Sequence, residues 1–301
     1  MVAAPNAKSN AARLSVLSNS TLVVLKLGVG IWIGSVAVIS EAIHSAIDLL
    51  AALIAWYAVR VADTPPDEGH PYGHGKVESI SGTVEALLIF LAGAWIIFEA
   101  IRGMVNRTET ATIGWGVAVM GVSAGVNVFV SRHLLKVAKE HDSVALEADA
   151  HHLSVDVYAS IGVFVGLGLV ALTGWHIFDP LVALGVGGLI LYTAYDITKR
   201  AFAPLLDATL PVAEVEAVER ALCADARVRG YHHLRTRQAG SVRFVDFHLL
   251  LDDHLTLAES HRISHEVKDL VLEALPGAVV EIHVEPYEEE LEAKGDAIKL
   301  T

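Results

Sequence analysis

Cysteine is almost missing from this chain: Cys223 is the only one in 301 residues. An intramolecular disulfide is therefore excluded, and so is any zinc cluster built on thiolates. Basic residues are scarce as well, 22 Lys and Arg against 35 Asp and Glu. The resulting formal charge of −13 excludes the basic surface that a nucleic-acid partner requires. The opening MVAAPNAKSNAARLS has no early apolar core leading to a small-residue cleavage site, so no cleaved signal peptide is expected. No H-E-x-x-H motif occurs, which removes the usual frame of a zinc hydrolase and points away from an enzyme. Any metal chemistry must rest on imidazole and carboxylate.

Apolar residues, in contrast, are abundant. They make up 53% of the chain, its mean hydropathy is +0.49, and they are clustered. Polar residues crowd the first 20 positions and the stretch after about Asp207, while the residues between form apolar spans. Six spans, each long enough for ~30 Å of hydrocarbon, are expected at 14–34, 36–60, 78–101, 113–136, 145–172 and 176–199. The expected organisation is a six-helix transmembrane domain over 1–208, a soluble domain over 209–288 and an unstructured acidic tail over 289–301. Lys and Arg concentrate on the side that would hold both termini, which makes that side cytoplasmic by the positive-inside rule.

Charge inside these spans needs a reason, because an ionisable group at mid-bilayer costs roughly 2.5–3.5 kcal/mol on insertion scales. The second span reads SEAIHSAIDLLAALIAW and sets His44 and Asp48 four apart on one helical face. The fifth reads EADAHHLSVDVYASIGVFVG and repeats the spacing with His152 and Asp156. A single His–Asp pair reads equally well as a buried hydrogen bond between packed helices. Two matched pairs in different spans point instead to a shared site of two nitrogens and two carboxylates, which suits tetrahedral Zn²⁺. Lys26, Glu85 and Asn127 also fall within spans and read as polar packing groups or snorkelling ends.

Two ionised aspartates in low dielectric are unfavourable while such a site is empty. Either a divalent metal or protons would relieve them, and imidazole titrates near neutral pH. A site comfortable with one or the other, but not with neither, suits metal/proton exchange.

After Pro211 the pattern changes to helix 211–224, strands 229–238 and 241–251, helix 256–275 and strand 278–285. This αββαβ order predicts a ferredoxin-like α+β sheet covered by helices on one face. The strand period of two puts Val245, Phe247, Leu249 and Leu251 on one side. His233, His248, His283 and Glu285 fall on the more polar sides of three strands, where convergence would make a metal cluster.

The two H-x-x-x-D motifs, the loop GHPYGHGKVES, the segment PLLDATLP, and the HHLRTR, FHLLL and EIHVEP stretches together resemble the cation diffusion facilitator family over nearly the whole chain. The resemblance implies a homodimeric divalent-metal exporter of the bilayer, exchanging Zn²⁺ for protons, in a bacterial inner membrane. Co²⁺, Fe²⁺, Cd²⁺ and Ni²⁺ are alternative substrates. It carries the transport site to His44, Asp48, His152 and Asp156, and a loop metal site to Asp67, His70 and His74. It carries a regulatory cytoplasmic zinc cluster to His233, His248, His261, His283 and Glu285, with His261 arriving from the partner protomer. One bacterial branch of the family has Asp where this chain has His44. The second imidazole should favour Zn²⁺ or Co²⁺ over Mn²⁺. A membrane-anchored zinc sensor without transport is the competing reading.

Overall fold

The computed structural model describes residues 6–34, 36–106, 115–175, 177–288 and 299–300. The chain forms two compact units, Ala3–Phe202 and Ala203–Thr301.

The first unit is built from six long helices: α1 (Asn6–Ile33), α2 (Val36–Ala62), α3 (Lys76–Asn106), α4 (Trp115–His141), α5 (Val144–Thr173) and α6 (Phe178–Phe202). Most ends fall within three residues of the expected spans, but α1 starts eight residues earlier and α3 and α4 each run five residues further, because those helices continue into polar flanks. Five of them are long and apolar enough to cross a membrane. The exception is α4, the span expected at 113–136. Arg132, Lys136, Lys139 and Glu140 occupy its last third and lower its mean hydropathy, while 107–114 lie outside the described residues.

Small side chains let these helices approach closely. A Cβ on Gly187 of α6 would stand 2.6 Å from Ile97 Cγ1 and 3.4 Å from the Gly93 carbonyl oxygen, so α3 and α6 pack backbone to backbone. Ala86, Ile89, Ala148, Val155, Ile190 and Ala194 form one buried cluster, and Ala11, Ala12, Val59, Leu134, Ala145 and Leu146 another. Leu172, Trp32, Tyr192 and Phe129 point outward and are largely exposed, as lipid-facing residues would be.

Where α1, α3 and α5 begin and α2 ends, charge is buried instead. Lys8 Nζ lies 2.5 Å from Asp63 and donates to Glu78 Oε1 at 3.0 Å. Glu78 has no exposed surface, and its other oxygen accepts from Ser143 Oγ at 2.5 Å. Ser143 is also the N-cap of α5, accepting from the Leu146 backbone N–H. One fully satisfied carboxylate therefore ties the ends of α1, α3 and α5 together.

The second unit follows the expected order. A single 3₁₀ turn (Ala203–Leu206) precedes α7 (Val212–Leu222), β1 (Gly230–Ala239), β2 (Val242–Leu251), α8 (Leu257–Ala274) and β3 (Val279–Pro286). The sheet runs β3-β2-β1, with a two-residue strand β4 (Lys299–Leu300) on the far side of β1: β1 pairs antiparallel with β2, β2 parallel with β3. Parallel pairing demands a crossover, which α8 supplies. The predicted apolar face is the core: Val245, Phe247, Leu249 and Leu251 pack with Val218, Leu222, Ile263, Val267 and Val271 of the two helices. Each such buried side chain contributes roughly 1.5–3 kcal/mol. Helix α8 opens with a capping box between Thr256 and Glu259. Hydrogen bonds from Thr256 to the Glu259 carboxylate hold that group below the ordinary glutamate range.

Two features depart from the expected pattern. The tail expected to be unstructured contributes β4 (Lys299–Leu300), paired antiparallel with β1, while 289–298 lie outside the described residues. Strand β1 is also irregular, slipping register between His232 and Arg235, with His233 at φ +50°. Such a bulge adds a residue to one strand without a partner on the other.

Candidate metal centres

The first centre lies inside the helical unit. Helix α2 supplies His44 and Asp48, and α5 supplies His152 and Asp156, each pair one turn apart. The contacts run crosswise: His152 Nε2 stands 3.2 Å from Asp48 Oδ1, and His44 Nε2 stands 3.6 Å from Asp156 Oδ1. Donor atoms of His44, Asp48 and Asp156 lie within 4.8 Å of one another. His152 closes the set through Asp48. The structure thus brings all four residues expected here to one place.

Burial is lopsided around that place. The side chains of His152 and Asp48 are nearly sealed, whereas that of His44 is about half exposed at 52%. Asn127, on α4, donates to Asp156 Oδ2 at 3.3 Å and fixes that carboxylate from outside the ligand set. Lys26 does not snorkel out. It is buried and donates to Ser45 Oγ, beside His44, at 2.8 Å. Sequence reading had treated both as packing groups, since it cannot tell which neighbour a polar side chain meets.

The second centre is the loop between α2 and α3. Asp67 Oδ1 lies 3.3 Å from His70 Nδ1 and Asp67 Oδ2 lies 3.4 Å from His74 Nε2, with the two rings 4.4 Å apart. The loop is folded by the Asp67 carboxylate, which accepts from the backbone N–H groups of His70 (2.7 Å) and Gly69 (2.9 Å). The His70 N–H is also the chief cause that holds this carboxyl below its ordinary range. Gly73, at φ +81°, turns the chain back so that His74 reaches the same carboxylate. Two imidazoles and one carboxylate with an open side suit a three-coordinate metal platform.

The third centre sits on the polar face of the C-terminal sheet. Strand register places His232 opposite His248 and His248 opposite His283, a row across three strands. Glu285 gathers them: its Oε2 is 2.7 Å from His232 Nε2, and its Oε1 is 3.0 Å from His248 Nδ1 and 3.4 Å from His283 Nε2. His232, His248 and Glu285 form the tightest donor set, within 4.8 Å. His232 is buried, as a ligand held in a dry wall would be. Two imidazoles and a carboxylate fit zinc or a similar divalent ion.

His232 was not among the expected ligands. Strict alternation puts it on the opposite face from His233, but the bulge cancels the alternation. Both rings therefore stand near His248, at centroid distances of 4.8 and 5.1 Å. The visible signal was the His-His doublet, since histidine tolerates the left-handed backbone better than bulky residues do. His261 is not brought into this group. It is exposed on α8 with its ring 4.5 Å from that of His265.

Comparison with known proteins covers both units. Residues 12–206 match the cation efflux transmembrane domain, and residues 210–287 match the cation efflux protein cytoplasmic domain. The transporter sll1263 of Synechocystis sp. is 36% identical over 267 residues, covering 88% of this chain and 86% of its own. The cation-efflux pump FieF of Salmonella typhimurium is 31% identical over 278 residues, covering 92% of each chain. A solved structure from work on the transporter CzrB is 37% identical and covers 26% of this chain and 96% of its own, with a TM-score of 0.25.

Proposed function

The chain belongs to the cation efflux family of integral membrane metal transporters, and on that premise we propose that it exports Zn²⁺ from the cytoplasm in exchange for protons. The observation that carries this reading is the crosswise meeting of His44, Asp48, His152 and Asp156 between α2 and α5. Two nitrogens and two carboxylate oxygens make a tetrahedral set for Zn²⁺ or Co²⁺, and a poor one for a hard ion that prefers six oxygens. Fe²⁺, Ni²⁺ and Cd²⁺ are weaker candidates.

Exchange follows from charge. Two facing aspartates in low dielectric repel, and either a divalent ion or protons on the carboxylates and imidazoles relieve that repulsion. Metal entering the site displaces protons, and protons entering from the other side displace metal. The half-exposed His44 would be the first ligand an arriving ion meets.

Residues Asp67, His70 and His74 act as a capture point in a cytoplasmic loop, holding the ion by three ligands and leaving one position open. His233, His248, His283 and Glu285, joined by His232, bind zinc in the cytoplasmic domain and make its self-association sensitive to cytoplasmic zinc. In the homodimer, His261 of a second copy completes that cluster. The membrane is a bacterial inner membrane, with both termini in the cytoplasm.

Zinc uptake into proteoliposomes at two pH gradients tests the central claim, comparing the parent with Asp48→Ala and Asp156→Ala. Gradient-dependent flux in the parent and none in either variant is the expected result. Zinc binding without flux in the parent would replace the transporter reading with that of a zinc sensor.

A further inference from the structure

A second acidic pair lies in the same helical unit and takes no part in the metal centres. Glu85 on α3 is 0% exposed and Asp149 on α5 is 1% exposed. Their chain neighbours Ala86 and Ala148 share one buried cluster, Glu85 feels the charge of Asp149, and Asp149 faces Ser15 of α1, with Asp48 of α2 and His152 of α5 in electrostatic range. Ser81 Oγ, one turn before Glu85, donates to Glu85 Oε1 at 3.4 Å. Glu85 Oε2, both Asp149 oxygens and the wholly buried Ser15 Oγ find no hydrogen-bond partner. Among the described residues no Lys or Arg reaches either carboxyl.

Ionised, the pair would be two uncompensated charges with unsatisfied lone pairs in a dry interior, at several kcal/mol per ion. A bound proton removes both problems, since it neutralises a charge and turns one oxygen into a donor. The hydroxyl of Ser15, buried and unpartnered, can then accept from Asp149 or donate to it. A divalent ion is a poorer occupant, because two carboxylates and two hydroxyls offer fewer oxygens than a hard cation needs.

The location gives the pair a task. Asp149 stands one turn before His152 on α5, and Glu85 about two turns beyond Glu78 on α3. The carboxyls therefore lie between the metal-binding four and the helix ends tied by Lys8, Glu78 and Ser143. We propose that Glu85 and Asp149 form a proton-binding pair, separate from the metal ligands, that carries the exchanged proton between the transport site and that end of the bundle. This rests on the antiport reading above. A proton given up at the transport site is taken by a free oxygen of the half-protonated pair, and the proton already held leaves toward Glu78. Charge is conserved at each transfer.

The test uses the full chain in proteoliposomes, with zinc as the probe and Glu85→Gln and Asp149→Asn as variants. Equilibrium zinc binding by the variants should stay within about threefold of the parent, below the tenfold that 1.4 kcal/mol commands. The stimulation of flux by a pH gradient should be lost in both. Variants that keep the parent's full gradient response overturn the pair's role and leave the antiport reading intact. A parent that shows no gradient response overturns both. Loss of one bound zinc per chain in the variants would make the pair a metal site and overturn the proposal.

Should neither variant fold, infrared spectra of the zinc-loaded parent decide the matter. Bound metal keeps Asp48 and Asp156 ionised, so a carboxylic-acid band that persists at alkaline pH belongs to other buried acids. Its absence would overturn the assignment.

Discussion

His152 and Asp48 meet across the α2–α5 interface at 3.2 Å, although each has a complementary residue four positions along its own helix. The site is thus a property of the interface and not of either helix. Anything that rotates one helix against the other separates both His–Asp contacts together.

Asn127 should matter to metal binding without being a ligand. It donates to Asp156 Oδ2 from α4, so Asn127→Leu leaves all four ligands present but one carboxylate unfixed. Loss of such a supporting contact lowers metal affinity about 10–100-fold. Zinc titration of the detergent-solubilised protein checks it, and an unchanged affinity would remove Asn127 from the site.

Replacing His44 by Asp exchanges an imidazole for a carboxylate in a site where softness sets preference. Competition flux assays with His44→Asp should show Cd²⁺ and Mn²⁺ gaining on Zn²⁺. Identical competition curves for parent and variant would show that position 44 does not select the ion.

The bulge in β1 makes a prediction about backbone rather than side chain. His233 holds φ +50°, which glycine adopts freely and a β-branched residue does not. His233→Gly removes that ring but should keep the second unit as stable as the parent, because the bulge keeps its backbone. His233→Val should destabilise it by about 1–3 kcal/mol through backbone strain and weaken zinc binding at His232, since the register there would be lost. Thermal unfolding with and without zinc separates these outcomes.

The buried pair of Lys8 and Glu78 should respond asymmetrically. Lys8→Met leaves Glu78 buried without its cation and is expected to destabilise the helical unit by about 3–5 kcal/mol. Adding Glu78→Leu should recover much of that loss, because the fully buried unpaired charge is gone and Asp63, which also loses Lys8, is partly exposed to solvent. If the double variant is no more stable than the single one, the pair is not what holds those helix ends.

In the cytoplasmic domain, Thr256→Ala removes the N-cap of α8 and half of a capping box. A loss of about 1 kcal/mol is expected, read as a lower denaturation midpoint at unchanged slope.

The domain order, the helix-strand sequence and the apolar face of β2 were legible because each leaves a periodic trace in hydrophobicity. The H-x-x-x-D spacing was equally plain, since one helix turn fixes it. What could not be read was which elements touch. That His152 answers Asp48 and not its own Asp156 depends on how α2 and α5 pack. His232 was hidden for a different reason: one bulged residue reverses the inside-outside count that strand reading relies on. Glu85 stands out as a charge in a span, but that no Lys or Arg among the described residues reaches it is a fact of three-dimensional packing. Helix α4 is present where the sequence predicts it, within a stretch that matches a transmembrane domain, and is less apolar than a plain span only because charged residues crowd its C-terminal end.

The parallel pairing of β2 with β3 has a consequence in time. Glu285, the carboxylate that touches all three histidines of the sheet row, lies on the last long strand and is reached only after α8 has crossed over. During synthesis His232 and His248 emerge early and find each other across a hairpin, yet the anion that joins them arrives some thirty-seven positions after His248. A nascent or truncated chain holds histidines without their shared carboxylate. Completion of this His–Glu row therefore reports that the chain has been translated past Glu285 and that β3 has paired with β2.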